Sequence, residues 1–212
     1  MPPNLCLPGG EETAKAVAEI TGKKVEAVEA VIAAVRCSKT EGKVKQKYDY
    51  IGYRSCVAAN IAFGGIMECK YACIGFGDCE RACPFGAITI KDGMPFINPL
   101  KCVGCGTCAK ACPKNVIEII PKNARVWVPC SSKDPGKVVR SVCNVGCISC
   151  KMCIKSCPAK AISMEDGIIK IDHKKCLDYG DKCEMVCVEK CPRKILRPFE
   201  VKYEYELEKK AA

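Results

Sequence analysis

One histidine and one tryptophan stand in a chain of 212 residues, with only five phenylalanines beside them. A single histidine, His173, rules out histidine-rich metal sites, and no Cys/His pair suggests a nucleophile. So few aromatics leave small units short of apolar core, and such units need another staple. No stretch approaches 18 apolar residues, so nothing reads as a membrane span. The start, Met1-Pro2-Pro3-Asn4-Leu5-Cys6, has neither a basic nor an apolar leader segment. No glycine-rich phosphate loop follows a strand-like run.

Cysteine is what the chain has instead: 21 of them, an odd number. Disulfides would leave one thiol over, and a chain without a leader is expected in a reducing compartment that disfavours them. Metal is the better staple. The formal charge of +10 counts every cysteine as neutral. A [4Fe–4S] core on four thiolates carries about −2, so a few such clusters would offset most of the surplus. The basic balance is therefore no sign of nucleic-acid binding.

Along the chain, residues 1–62 read as a helical segment and linker. Gly9-Gly10 breaks the chain, Ala14, Val17, Ala18 and Ile20 share a helical face, and Thr21-Gly22 ends it. Val25, Val28, Ile32 and Val35 suggest a second short helix packed on the first. Lys43, Lys45 and Lys47 alternate around Val44 and read as an exposed edge. From residue 69 the chain repeats a phrase of cysteines, Cys-Pro and a β-like run. The phrase ends at Cys83-Pro84, Cys112-Pro113, Cys157-Pro158 and Cys191-Pro192. Lys91-Asp92-Gly93 and Glu165-Asp166-Gly167 are hairpin signals between copies. The expected fold is α+β: short N-terminal helices, then two tandem bacterial-type 2[4Fe–4S] ferredoxin-like domains at 63–121 and 143–198. A linker at 122–142 joins them, and a charged tail at 199–212 follows.

Spacing assigns the ligands. Cys102-x₂-Cys105-x₂-Cys108-x₃-Cys112-Pro is the bacterial ferredoxin run, as is Cys147-x₂-Cys150-x₂-Cys153-x₃-Cys157-Pro. Three thiolates of one loop cap one cube, and the fourth reaches the cluster of the partner half. Looser versions are Cys69-x₃-Cys73-x₅-Cys79-x₃-Cys83-Pro and Cys176-x₆-Cys183-x₃-Cys187-x₃-Cys191-Pro. Gly75 and Gly77 in the enlarged loop would let backbone pass close to inorganic sulfide. Crossing the fourth ligands gives four expected clusters. The first takes Cys69, Cys73, Cys79 and Cys112, and the second Cys102, Cys105, Cys108 and Cys83. The third takes Cys147, Cys150, Cys153 and Cys191, and the fourth Cys176, Cys183, Cys187 and Cys157. Cys6, Cys37, Cys56, Cys130 and Cys143 remain, and their spacing matches no fifth pattern, although Cys143 could stand in for a ligand. Zinc is the structural alternative, but its sites pair separated Cys-x₂-Cys knuckles, whereas these cysteines come in triplets. His173 reads as a neighbour of ligands or a surface residue.

The segment Cys69-Lys-Tyr-Ala-Cys73-Ile-Gly-Phe-Gly-Asp-Cys79-Glu-Arg-Ala-Cys83-Pro-Phe-Gly-Ala-Ile resembles the B subunit of the Rnf complex, the membrane-bound, ion-translocating ferredoxin:NAD⁺ oxidoreductase. Ala34-Val-Arg-Cys37 with Tyr50-Ile-Gly-Tyr-Arg-Ser-Cys56, and Asn4-Leu-Cys6-Leu-Pro-Gly-Gly, resemble other parts of that family. The resemblance implies an electron-transfer component that takes electrons from reduced ferredoxin and passes them towards membrane subunits. It implies no flavin or NAD on this chain, no complete active site of its own and no nucleic-acid partner. It places the chain at the cytoplasmic side of the cell membrane. Family members begin with a membrane anchor and a small iron–sulfur domain, so the resemblance suggests an N-terminally trimmed, peripheral form. Cys6 would then be the orphan ligand of a truncated cluster. Lys70, Lys101, Lys151 and Lys155, beside ligands, could steer an acidic ferredoxin.

Overall fold

Glycines bracket the first helix in the computed structural model, which describes residues 2–24, 29–40 and 44–199. Helix α1 (Gly10–Thr21) ends where Gly22 turns left-handed and caps the Ala18 carbonyl. The second expected helix is not formed at Ile32 and Val35. Val25 and Val28 lie outside the described residues, and Val31–Val35 is a strand, β1. A short apolar run fits either period, and here the long-range partner decides. Val31, Ile32 and Val35 are β-branched, and Ile32 through Val35 are all buried, so both faces of the strand are covered. Residues 44–48 run beside 66–68, through Lys47 N–H to the Ile66 carbonyl and Glu68 N–H to the Lys45 carbonyl. Lys43 falls outside the described residues. Helix α2 (Cys56–Phe63) follows.

Each Cys-Pro then closes one and the same turn. The N–H groups of Gly86, Asn115, Lys160 and Lys194 donate to the carbonyls of Cys83, Cys112, Cys157 and Cys191 at 3.1–3.4 Å. Those four residues all take positive φ, 48–56°. Proline presets the second position of the turn, so the fourfold phrase of the sequence is a fourfold backbone shape. Short helices precede the turns and strands follow them. Helix α3 (Asp78–Arg81) leads to strands β2 (Ile88–Lys91) and β3 (Met94–Ile97). Helix α4 (Thr107–Ala111) leads to β4 (Ile117–Pro121), and β5 (Val126–Trp127) and α5 (Gly136–Val142) come next. Helix α6 (Met152–Ser156) leads to β6 (Ile162–Glu165) and β7 (Ile168–Ile171). Helix α7 (His173–Tyr179), a 3₁₀ turn (Gly180–Cys183) and α8 (Val186–Glu189) lead to β8 (Arg197–Pro198).

Pairing makes the repeat twofold. Strands β2 and β3, like β6 and β7, form hairpins at the two expected turns, with Asp92–Gly93 and Asp166–Gly167 at positive φ. Among the described residues, strands β4 and β8 have no following partner and pair backwards instead, β4 with β1 and β8 with β5. Each unit therefore reaches back beyond the boundaries expected at residues 63 and 143, and residues 122–142 are not a plain linker. Phe199, expected in a frayed tail, packs edge-on against Trp127 and donates its N–H to the Arg125 carbonyl at 2.9 Å. Residues 200–212 lie outside the described residues.

Two main cores result, one under β1 to β4 and one under β5 to β8. Arg36, buried at the end of β1, ties them together. Its guanidinium donates to Glu118 (3.1 Å) in β4, to the Cys130 carbonyl (3.2 Å) and to the Ile169 carbonyl (2.7 Å) in β7. Lys170 reaches the other oxygen of Glu118 at 3.1 Å.

Candidate metal centres

Cysteines gather on the short helices and turns just described. Around Cys108 stand Cys102, Cys105 and Cys83. Burial and then Cys102 push the Cys108 thiol up to about 11, with Cys105 and Cys83 adding to it. The Ala87 N–H donates to the Cys83 sulfur at 3.4 Å, as a ligand thiolate needs. Around Cys187 stand Cys157, Cys176 and Cys183, and burial followed by these three raises its thiol to about 11. Arg125 lies against Cys183 at 3.4 Å and so balances charge there. Cys147, Cys150, Cys153 and Cys191 line a cavity of about 300 Å³. Burial and then Cys147 and Cys191 raise the Cys153 thiol to about 12. These three quartets are the ones that spacing expects.

The first expected quartet is different. Cys73, Cys79 and Cys112 line a cavity of about 360 Å³, but its fourth cysteine is Cys56, not Cys69. Burial, with a smaller contribution from Cys56, raises the Cys73 and Cys79 thiols to about 12, although Lys39 opposes it at Cys73. Cys69 turns instead towards Cys130 and Cys143. The reason is local. Cys56 opens α2, and the Asp78 carboxylate caps that helix, accepting from Cys56 N–H (2.9 Å), Val57 N–H (3.0 Å) and the Ser55 hydroxyl (2.9 Å). Burial alone would raise the Asp78 pKa, but these donors and Arg81 together hold it below the usual carboxylate range. The aspartate of Gly77-Asp78-Cys79 thus holds a cysteine from outside the loop against this cavity. Sequence reasoning missed Cys56; the signal was Ser55 as an N-cap directly before it.

Gly75 proves necessary for another reason than sulfide. With φ +92, a Cβ there would strike the Gly93 carbonyl of the β2–β3 hairpin. Cys6, the expected orphan ligand, is exposed and belongs to none of these groups. His173 is half-buried between the two units and lines a small cavity with Arg36 and Glu118, away from every quartet.

The donor set fits cubane clusters better than single ions. Among the described residues no three Cys, His, Asp or Glu side chains converge as closely as one metal ion requires. Zinc would draw four thiolates to about 2.3 Å from one point. Quartets spread around a shared hollow instead suit a cube capped at its corners.

The cysteine-bearing turns and paired strands define an iron–sulfur protein, and residues 72–116 match the 4Fe-4S dicluster domain. The chain is similar to the B subunits of three ion-translocating complexes. It is 47% identical over 193 residues to that of the proton-translocating ferredoxin:NAD(+) oxidoreductase complex of Clostridium ljungdahlii, across 91% of this chain and 67% of that one. It is 40% identical over 187 residues to the counterpart from the Na(+)-translocating complex of Acetobacterium woodii, across 86% and 56%. With the B subunit of the ion-translocating oxidoreductase complex of Methanosarcina acetivorans it shares 39% over 196 residues, across 92% and 72%. The chain belongs to this family, the B subunits of the Rnf-type ferredoxin:NAD⁺ oxidoreductases.

Proposed function

We propose that this chain is the electron-transfer component of an Rnf-type complex, accepting electrons from reduced ferredoxin and passing them towards the membrane subunits. The observation that carries the reading is the fourfold Cys-Pro turn, beside which the cysteines gather in four quartets. Two tandem ferredoxin-like units would hold four [4Fe–4S] clusters. Their ligands are Cys56, Cys73, Cys79 and Cys112; Cys83, Cys102, Cys105 and Cys108; Cys147, Cys150, Cys153 and Cys191; and Cys157, Cys176, Cys183 and Cys187. When bound, each cluster takes up and releases one electron at a time.

The protein's own residues do the rest. Buried positions exclude water, and N–H donors such as that of Ala87 stabilise thiolate charge. Lys101, Lys151 and Lys155 stand exposed beside ligands and would attract an acidic ferredoxin. Lys70 is already held by Asp134 at 2.8 Å and is a weaker candidate. Among the described residues no helix is long and apolar enough to cross a membrane.

Anaerobically purified protein should be brown, hold iron and acid-labile sulfide in equal amounts, and be bleached by reduced ferredoxin. Cys56→Ala should remove one cluster's iron, and Lys151→Glu with Lys155→Glu should slow reduction most at low salt. Zinc without sulfide would sink the reading.

A further inference from the structure

Four cysteines remain once the four quartets are set aside with Cys6, and the fold brings all of them to one place. Cys37, Cys69, Cys130 and Cys143 line a cavity of about 370 Å³. Each comes from a different segment: Cys37 just after β1, Cys69 before the enlarged loop, Cys130 after β5, and Cys143 directly after α5. Nothing in their spacing announces a site, because no two share a loop.

The surroundings suit an anionic occupant. Lys39, buried, lines the same cavity and sends its ammonium to the Ile74 carbonyl at 3.2 Å. Its ammonium also faces Cys73 of the first unit and lowers that thiol, so its positive charge is shared between the two cavities. Two sulfurs already receive backbone hydrogen bonds, Cys37 from Cys73 N–H at 3.5 Å and Cys130 from Cys147 N–H at 3.4 Å. The same two bonds locate the cavity. Cys73 belongs to a quartet of the first unit and Cys147 to a quartet of the second.

We propose that Cys37, Cys69, Cys130 and Cys143 hold a fifth [4Fe–4S] cluster, which joins the two ferredoxin-like units into one continuous electron path. The inference rests on the iron–sulfur reading of the other quartets. Without this site, the two cluster pairs have only polypeptide between them; with it, neighbouring quartets adjoin from one end to the other.

Native mass spectrometry of the unmodified, anaerobically purified chain counts clusters directly, alongside iron and sulfide analysis. Five clusters and about 20 iron per chain are expected at four iron each. Cys130→Ser and Cys143→Ser, each alone, should lower the iron to about 16 and leave the other clusters' spectra in place, whereas Cys6→Ser should change nothing. Four clusters in the unmodified chain, or full iron retained in both variants, overturns the fifth site while leaving the relay intact. Zinc without sulfide overturns both.

Discussion

Asp78 shows how much one side chain can organise. Its two oxygens satisfy the first N–H groups of α2 and so set the position of Cys56. Asp78→Ala should lower stability by about 1–3 kcal/mol in thermal unfolding, because it orphans buried donors at a helix start. Asp78→Asn keeps an acceptor oxygen and should lose less. The grouping of cysteines was legible in the sequence wherever they share a tight loop, as at Cys102, Cys105 and Cys108. It was not legible for Cys56, which reaches its quartet from a separate helix. Spacing encodes only local geometry, so Cys69, which sits in the expected loop position, points to a cavity that sequence distance hides.

Among the elements, the hairpins were readable because Asp92–Gly93 and Asp166–Gly167 dictate a two-residue turn. Strand β1 was not. Its apolar run could satisfy a helix with α1, and only the lone edge of β4 makes the extended form the better burial. Gly104 records the same packing: its φ is +67, and a Cβ there would strike Val31, so the ferredoxin loop lies directly on β1. Ile32, 1% exposed, should cost about 2–5 kcal/mol when replaced by Ala, as a buried core strand residue does. Ile20→Ala, at a position 86% exposed on α1, should shift stability by less than about 0.5 kcal/mol. Equal effects in denaturant unfolding would contradict the strand.

For the whole molecule, the contact between the two units turns on Arg36, Glu118 and Lys170. Arg36→Ala leaves two carbonyls without this donor, while the partly exposed Glu118 keeps Lys170, and should destabilise by about 1–3 kcal/mol. His173 sits beside them. Burial lowers its pKa, against the pull of Glu118, Asp172 and Glu29, while Arg36 lowers it further. A depressed histidine is held neutral in the fold, so its contribution is fully present above about pH 6.5 and is lost as pH falls below that. The melting temperature should therefore drop between pH 7 and pH 5.5, and His173→Gln should flatten that drop. The pairing of β1 with β4 has a further consequence in time. Arg36 and Glu118 are 82 residues apart. At about 5–20 residues per second, a ribosome needs roughly 4–16 s to deliver β4 after β1 has emerged. Throughout that interval an apolar strand and several thiols wait unpartnered, which makes nascent chains of this length the stage most open to aggregation and oxidation.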